Sequence, residues 1–527
     1  MNEIIQQEEI QLGTWPRRLL HVSTLTSCEW AEGNIYKGVK EPRYVAISYT
    51  WGRWALRPGE KPGVESIRIK GVDWEIPRID PDRFTAADLE NVLRNIIEPN
   101  RDVENAYKRT LQLDQQLTIG ESYDPDTQTR YASEEDANTP PIEFVWLDVA
   151  CIDQRNYAPF QVRAAHEIGR QFAIFTRATR IYIWLTTQVS NAAQKRYDSI
   201  SRVGRMCVNS TPSHLQRTDL ASGTFDSLPD EESARLVADI QNFLSDGWFS
   251  SLWTYQEGVI SDRAGLLITR DGKLLLHPIP KSANSVDPPF GVMYANIDSL
   301  VDLETVFNRW WHHTSGTTGP KREQRERFAQ IPHLIEQCGL KTLFKLNEID
   351  AYTAANKRKA TFEEDRIYGI QAIFGPDMRL GKTALNDNLG RYFSRRKLED
   401  QLGAKLLTTP SFMVKSQWHT FTKDVARERR WCVREESVGP PAISNCALLP
   451  EYGVEHCCEF EICDSKINSS CSHTITFRGN VIPLNDFVEV CRSIFSKGDF
   501  QNGSGENSTG KPTSKTYPVA NLNHFNR

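Results

Sequence analysis

YVAISYTWG (44–52) is the stretch whose reading decides the fold. Tyr44 to Ser48 are aromatic, β-branched or small and carry no charge, the composition of a short strand buried on both faces. The strand then runs into two hydroxyls, Ser48 and Tyr49, and an indole, Trp51, stands directly before Gly52. An ordinary exposed loop needs only small polar residues. This strand end therefore predicts a loop that either packs against another element or works on a ligand.

Downstream, FTAADLENVLRNII (84–97) places Thr85 and Asp88 at the spacing of a capping box, with Leu89, Val92, Leu93, Ile96 and Ile97 on one helical face. IEFVWLDVACI (142–152) is almost continuously apolar and reads as a second doubly buried strand, interrupted near its carboxyl end by Asp148. FQVRAAHEIGRQFAIFTRA (160–178) follows Pro159 and sets Val162, Ala165, Ile168, Phe172 and Phe175 at helical spacing. Glu167 and Gln171 lie four apart on that helix, where they can bond each other. RIYIWL (180–185) is a third strand. Strands alternating with helices give parallel pairing through right-handed crossovers, so the fold class is α/β.

Polar residues 100–141 and 188–230 read as excursions, the second before a helix near 231–245. GWFSSLWTYQEGV (247–259) returns to the core, and AGLLITRDGKLLL (264–276) carries an Asp-Gly turn that makes it a fourth core strand or a local hairpin. Beyond about residue 300 the pattern turns helical, as in ETVFNRWW, RFAQIPHLIEQCGLKTLFKL and EEDRIYGIQAIFG (363–375). From about 430 to 493 it alternates again, in CCEFEIC (457–463) and HTITFRG (473–479), and 496–527 has the composition of a disordered tail. The organisation expected is an extension (1–40), a core domain (41–260), a helical then β-containing region (261–495) and the tail.

At 527 residues the chain exceeds one hydrophobic core, which predicts two or three domains. No apolar run approaches the ~20 residues of a membrane helix, and residues 1–20 lack the plan of a secretory signal. A net charge of −5 supplies no basic field for nucleic acid. Eleven scattered cysteines form no disulfide framework and suit a reducing compartment, so a soluble cytoplasmic protein is expected.

Three segments in this order, YVAISYTWG, VWLDVACIDQ (145–154) with the helix bearing Glu167 and Gln171, and WFSSLWTYQE (248–257), resemble the heterokaryon-incompatibility (HET) domain of filamentous fungi. Ser251 stands where the family pattern WFxRxW has arginine, and Gln171 departs from the common spacing. The family is in turn similar to Toll/interleukin-receptor (TIR) domains, through the ISY strand end, VWLDVACI, IYIWL and a tryptophan followed four residues later by glutamate. The resemblance implies a flavodoxin-like core and a cytosolic part in non-self recognition and regulated cell death, with self-association and incompatibility or receptor partners. It also implies that Glu257 is the counterpart of the glutamate with which many TIR domains cleave the nicotinamide–ribose bond of NAD, a substrate rather than a cofactor.

In an open parallel sheet, ligands bind outside the carboxyl ends of the strands, where Ser48, Tyr49, Asp148 and Thr186 are expected. There Trp51 or Trp253 can stack on a flat ring, Gly52 can admit a phosphate, and Asp148 or Asp153 can bond ribose hydroxyls. Each has a plainer role. The tryptophans can be core aromatics, the hydroxyls and aspartates local hydrogen-bonding groups, and Glu257 a structural link between its helix and the first strand. SGTTGPK (315–321) lacks a residue of the adenylate-forming phosphate loop. Cys446, Cys457, Cys458, Cys463 and Cys471, with His456 and His473, contain no CxxC pair, so neither phosphate-loop nor zinc chemistry is assigned.

Overall fold

The structure is a computed structural model; it describes residues 10–50, 52–97, 141–155, 160–208, 229–261, 265–280, 290–295, 322–340, 348–371, 373, 393–408, 458–464 and 473–479. Tyr44–Ser48 is a strand with all five residues buried. It pairs in parallel with Phe144–Trp146 on one side and Arg180–Leu185 on the other. Leu266–Thr269 continues the parallel run beyond Arg180–Leu185. Numbered along the chain, these four strands stand in the order second, first, third, fourth, so the winding reverses beside Tyr44–Ser48.

Two strands from the segment read as an extension complete a six-stranded sheet: Arg18–His21 pairs antiparallel with Phe144–Trp146, and Thr26–Glu29 forms the edge. The sheet is thus mixed, with parallel strands at its centre. Its core joins Val45, Ile47, Val145, Trp146, Ile181 and Trp184 to Leu89, Val92, Leu93 and Ile96 of the helix Ala86–Ile97. That helix begins with the expected capping box: Thr85 N donates to Asp88 Oδ2 at 2.7 Å and Asp88 N to Thr85 Oγ1 at 3.1 Å.

Three expectations are corrected. The apolar run 142–152 is a strand only over Phe144–Trp146 and becomes a helical turn at Asp148–Cys151. Val149, Ala150 and Cys151 stay buried in that turn, so hydrophobicity alone did not distinguish strand from buried helix. The single helix over 160–178 is two, Phe160–Gly169 and Gln171–Arg177, with Arg170 at φ −104° and ψ 4° between them. Its inward face is Glu167, Gln171, Ile174 and Phe175, while Ile168 and Phe172 are 37% and 36% exposed. Within the excursion 188–230, Ser190–Val208 is a helix; the helix expected near 231–245 runs from Asp230 to Leu244.

The Asp-Gly segment takes both proposed roles. Leu266–Thr269 is the fourth parallel strand, and Gly272, at φ +74°, turns the chain so that Thr269 N donates to Lys273 O at 2.9 Å. Helices Arg322–Phe328, Gln330–Gln337, Glu348–Lys357 and Asp365–Gln371 follow. By contacts the chain divides into 1–402 with 424–439, and 403–423 with 440–527. The second unit contains the antiparallel pair Cys458–Asp464 and His473–Gly479, as the alternation in CCEFEIC and HTITFRG predicts. Pro159, the excursion 100–140, ETVFNRWW, SGTTGPK and the tail 496–527 lie outside the described residues.

Candidate functional site

The carboxyl end of Tyr44–Ser48 is closed by the short helix Gly247–Ser250 and the helix Leu252–Ile260. Asp246 starts this closure. Its carboxylate caps the first helix by accepting from Trp248 N at 2.9 Å, and it accepts from Thr187 N at 2.8 Å and Thr187 Oγ1 at 2.7 Å. Thr187 follows the strand Arg180–Leu185, so one aspartate ties the helix to the sheet. Burial pushes the Asp246 acid up against these hydrogen bonds. A Cβ on Gly247 would meet the Trp54 ring at 3.1 Å and Thr50 at 3.5 Å, so a side chain here would press the post-strand loop away.

Trp248, fully buried, donates its indole N–H to Ser48 Oγ at 2.7 Å. Ser48 donates in turn to Glu257 Oε2 at 2.5 Å. Glu257 is 8% exposed, and burial lifts its carboxyl well above the ordinary range, beyond what the Ser48 bond lowers and with a further rise from the nearby Asp148 charge. Burial thus favours the protonated form of Glu257 over the carboxylate. Tyr49 completes the group: burial, then the Asp148 carboxylate beside it, raises its phenol, and Glu257 adds to the effect.

Four of the expected site residues, Ser48, Tyr49, Asp148 and Glu257, thus converge. Asp148 is partly buried and opens its helical turn by accepting from Val149 N at 2.7 Å. Thr186 is 1% exposed at the neighbouring strand end. Asp153 is held by Arg155, whose Nη2 lies 2.6 Å from Oδ2. Trp253 is half-buried on the Glu257 helix. Gly52 is exposed and a Cβ there would meet no atom within 4 Å; Trp51 lies outside the described residues.

Glu167 and Gln171 do not bond each other as the spacing suggested. Glu167 accepts from Arg17 N at 3.0 Å and pairs with Arg170 at 2.9 Å, anchoring the N-terminal segment. Gln171 accepts from Gln256 Nε2 at 3.2 Å, beside Glu257 in sequence.

Sequence reasoning missed Arg358. It stands in a Lys-Arg-Lys run that reads as solvated surface, yet it is 1% exposed. Its guanidinium donates to Cys338 O at 2.8 Å, Ser251 O at 2.9 Å and Trp248 O at 3.2 Å, and lies 5.0 Å from the Tyr255 ring centroid. Burial pushes its pKa down to about 10, with carbonyl dipoles rather than a carboxylate facing it in these bonds. Lys359 N donates to Ser250 O at 2.7 Å and Leu252 N to Lys359 O at 3.1 Å, stitching the same turn. Trp248 is thus gripped from the sheet by Ser48 and from the later helices by Arg358.

Residues 98–257 match the family described as heterokaryon incompatibility protein (HET). The chain carries a HET domain. The matched range begins after the YVAISYTWG strand and ends on Glu257, so the HET domain pairs in the sheet with a strand outside the match. Neither the curated proteins nor the solved structures searched gave a match. Among the described residues no helix is long and apolar enough to cross a membrane, and no group of His, Cys, Asp and Glu is placed to hold a metal.

Proposed function

We propose that this chain acts in heterokaryon incompatibility as a cytoplasmic signalling module, and that its HET domain in this conformation works through protein contacts, self-association among them, rather than catalysis. One observation carries the reading: Glu257 is buried and bonded to Ser48, an environment that favours its protonated form. Cleavage of a nicotinamide–ribose bond sends the bonding pair to the pyridinium nitrogen, whose departure needs no acid. Water adds at the sugar carbon and a proton is released. What the passing oxocarbenium centre needs is an ionised carboxylate, and burial of Glu257 works against that ionisation.

A second reading, a TIR-like NAD glycohydrolase opened by self-association, draws support from the strand order and from the convergence of Ser48, Tyr49, Asp148 and Glu257. They stand at the carboxyl ends of parallel strands, where the winding reverses and such sheets bind ligands. In it, entry of solvent would relieve the burial that disfavours the carboxylate and so ionise Glu257, and Asp148 would hold ribose hydroxyls.

The two readings separate on NAD turnover by the purified full chain, dilute and concentrated, beside Glu257→Gln. The signalling reading expects no turnover in either protein, and cell death on expression in a fungal host that persists in the variant. Turnover that Glu257→Gln abolishes while the fold survives would establish the glycohydrolase.

A further inference from the structure

A cavity of about 370 Å³ opens beside the Glu257 site but not into it. Tyr49, Ile67, Ile76, Phe84, Leu89 and Val149 wall it, all six buried. Its size lies near the lower end for small-molecule pockets, which run from about 300 to 1,000 Å³. The cavity lies between the segment 63–81, the start of the helix Ala86–Ile97 and the Tyr49 strand end, and it is formed within one unit of the chain.

Its charge pattern selects among ligands. Of the residues that line it only Glu65 carries a charge, and no lysine, arginine or histidine does. Thr85, also in the lining, already donates its hydroxyl to Asp88 Oδ2 at 3.0 Å. A phosphate, sulfonate or carboxylate entering here would lose its water and gain no cation from the lining, whose one charge, the exposed Glu65 carboxylate, is itself paired with Arg68 at 3.1 Å. The walls suit rings: the Tyr49 and Phe84 centroids lie 6.2 Å apart at 62°.

We propose that this cavity is a binding site for a neutral, apolar small molecule of two or three rings, and that it is separate from any nucleotide site at Glu257. Tyr49 is the shared element: its ring walls the cavity while its hydroxyl end lies in the field of Asp148 and Glu257.

The test uses two dyes with one skeleton, N-phenyl-1-naphthylamine and its sulfonated analogue 8-anilinonaphthalene-1-sulfonate, titrated into the full chain. The neutral dye should bind saturably at one site, at least tenfold more tightly than the anionic one. Ala86→Trp, placing an indole in the lining at a partly exposed position, should weaken the neutral dye at least tenfold with an unchanged melting curve. Glu65→Lys, at a side chain 75% exposed, should bring the anionic dye within about threefold of the neutral one. Absence of saturable neutral-dye binding overturns the proposal. So does equal binding of both dyes to the wild type, or neutral-dye affinity unmoved in a folded Ala86→Trp variant. Should Ala86→Trp not fold, Glu65→Lys decides: an unchanged preference between the dyes overturns it.

Discussion

The Ser48 hydroxyl stands 2.5 Å from Glu257 Oε2, joining a strand end to a helix 209 residues later in the chain. Because Ser48 also accepts the Trp248 indole N–H, a single oxygen satisfies a buried donor and a buried acid. Removing that oxygen strands both.

Ser48→Ala should therefore destabilise by more than one ordinary hydrogen bond, about 2–3 kcal/mol, since each group left unsatisfied in the core costs about 1–3 kcal/mol. Urea unfolding followed by tryptophan fluorescence measures it. A loss under about 0.5 kcal/mol would mean that solvent reaches the pair.

Glu257 makes stability depend on pH in a defined direction. Its folded pKa is raised above the ordinary 4.5, so in that range the folded state holds a proton the unfolded state has released. Its contribution is complete below pH 4.5 and declines as pH rises through the folded value. Glu257→Gln keeps the shape and removes the titration. The variant should gain on the wild type as pH climbs from 5 to 8, read as the difference between their unfolding midpoints. A constant difference would place an ionised Glu257 in contact with water.

Arg358→Met should cost about 1–3 kcal/mol, the cost of an unsatisfied buried group, because it removes the side-chain donor to the Cys338 carbonyl and one of two side-chain donors to the Ser251 carbonyl, which keeps the Thr254 hydroxyl. Arg358→Lys should rescue little, since a single ammonium does not reproduce a planar fork reaching both carbonyls. The Trp248 environment should change in both, seen in near-ultraviolet circular dichroism.

Glu167→Ala should loosen the N-terminal segment first. Hydrogen bonds to a charged group contribute about 1.5–3 kcal/mol each, and here the carboxylate takes Arg17 N–H as well as the Arg170 fork. The Arg17 amide should lose exchange protection before the amides of Ala46 and Ile47 do. Equal loss at all three would indicate global unfolding instead.

The central strands were legible in the sequence because burial on two faces demands uninterrupted apolar residues, which YVAIS and RIYIWL supply. The Thr85–Asp88 cap was legible because its partners are three residues apart. The inward turn of Glu167 was not: apolar spacing favoured Ile168 and Phe172, and only the partners Arg17 and Arg170 made a buried carboxylate tolerable. Arg358 was hidden for the same reason, its partners lying 20 to 110 residues away.

By itself the sequence determined the α/β class, the strand ends that carry Ser48, Tyr49 and Asp148, and the three segments that resemble a HET domain. Whether YVAISYTWG ends in a working loop or an anchored one was left to tertiary structure. Gly247 lets Thr50 and Trp54 pack close, and Trp248 and Glu257 take up the Ser48 hydroxyl. The physical reason is the range of the forces. Periodicity and caps act within a few residues, whereas the protonation of Glu257 depends on how much water and charge the folded chain leaves around it.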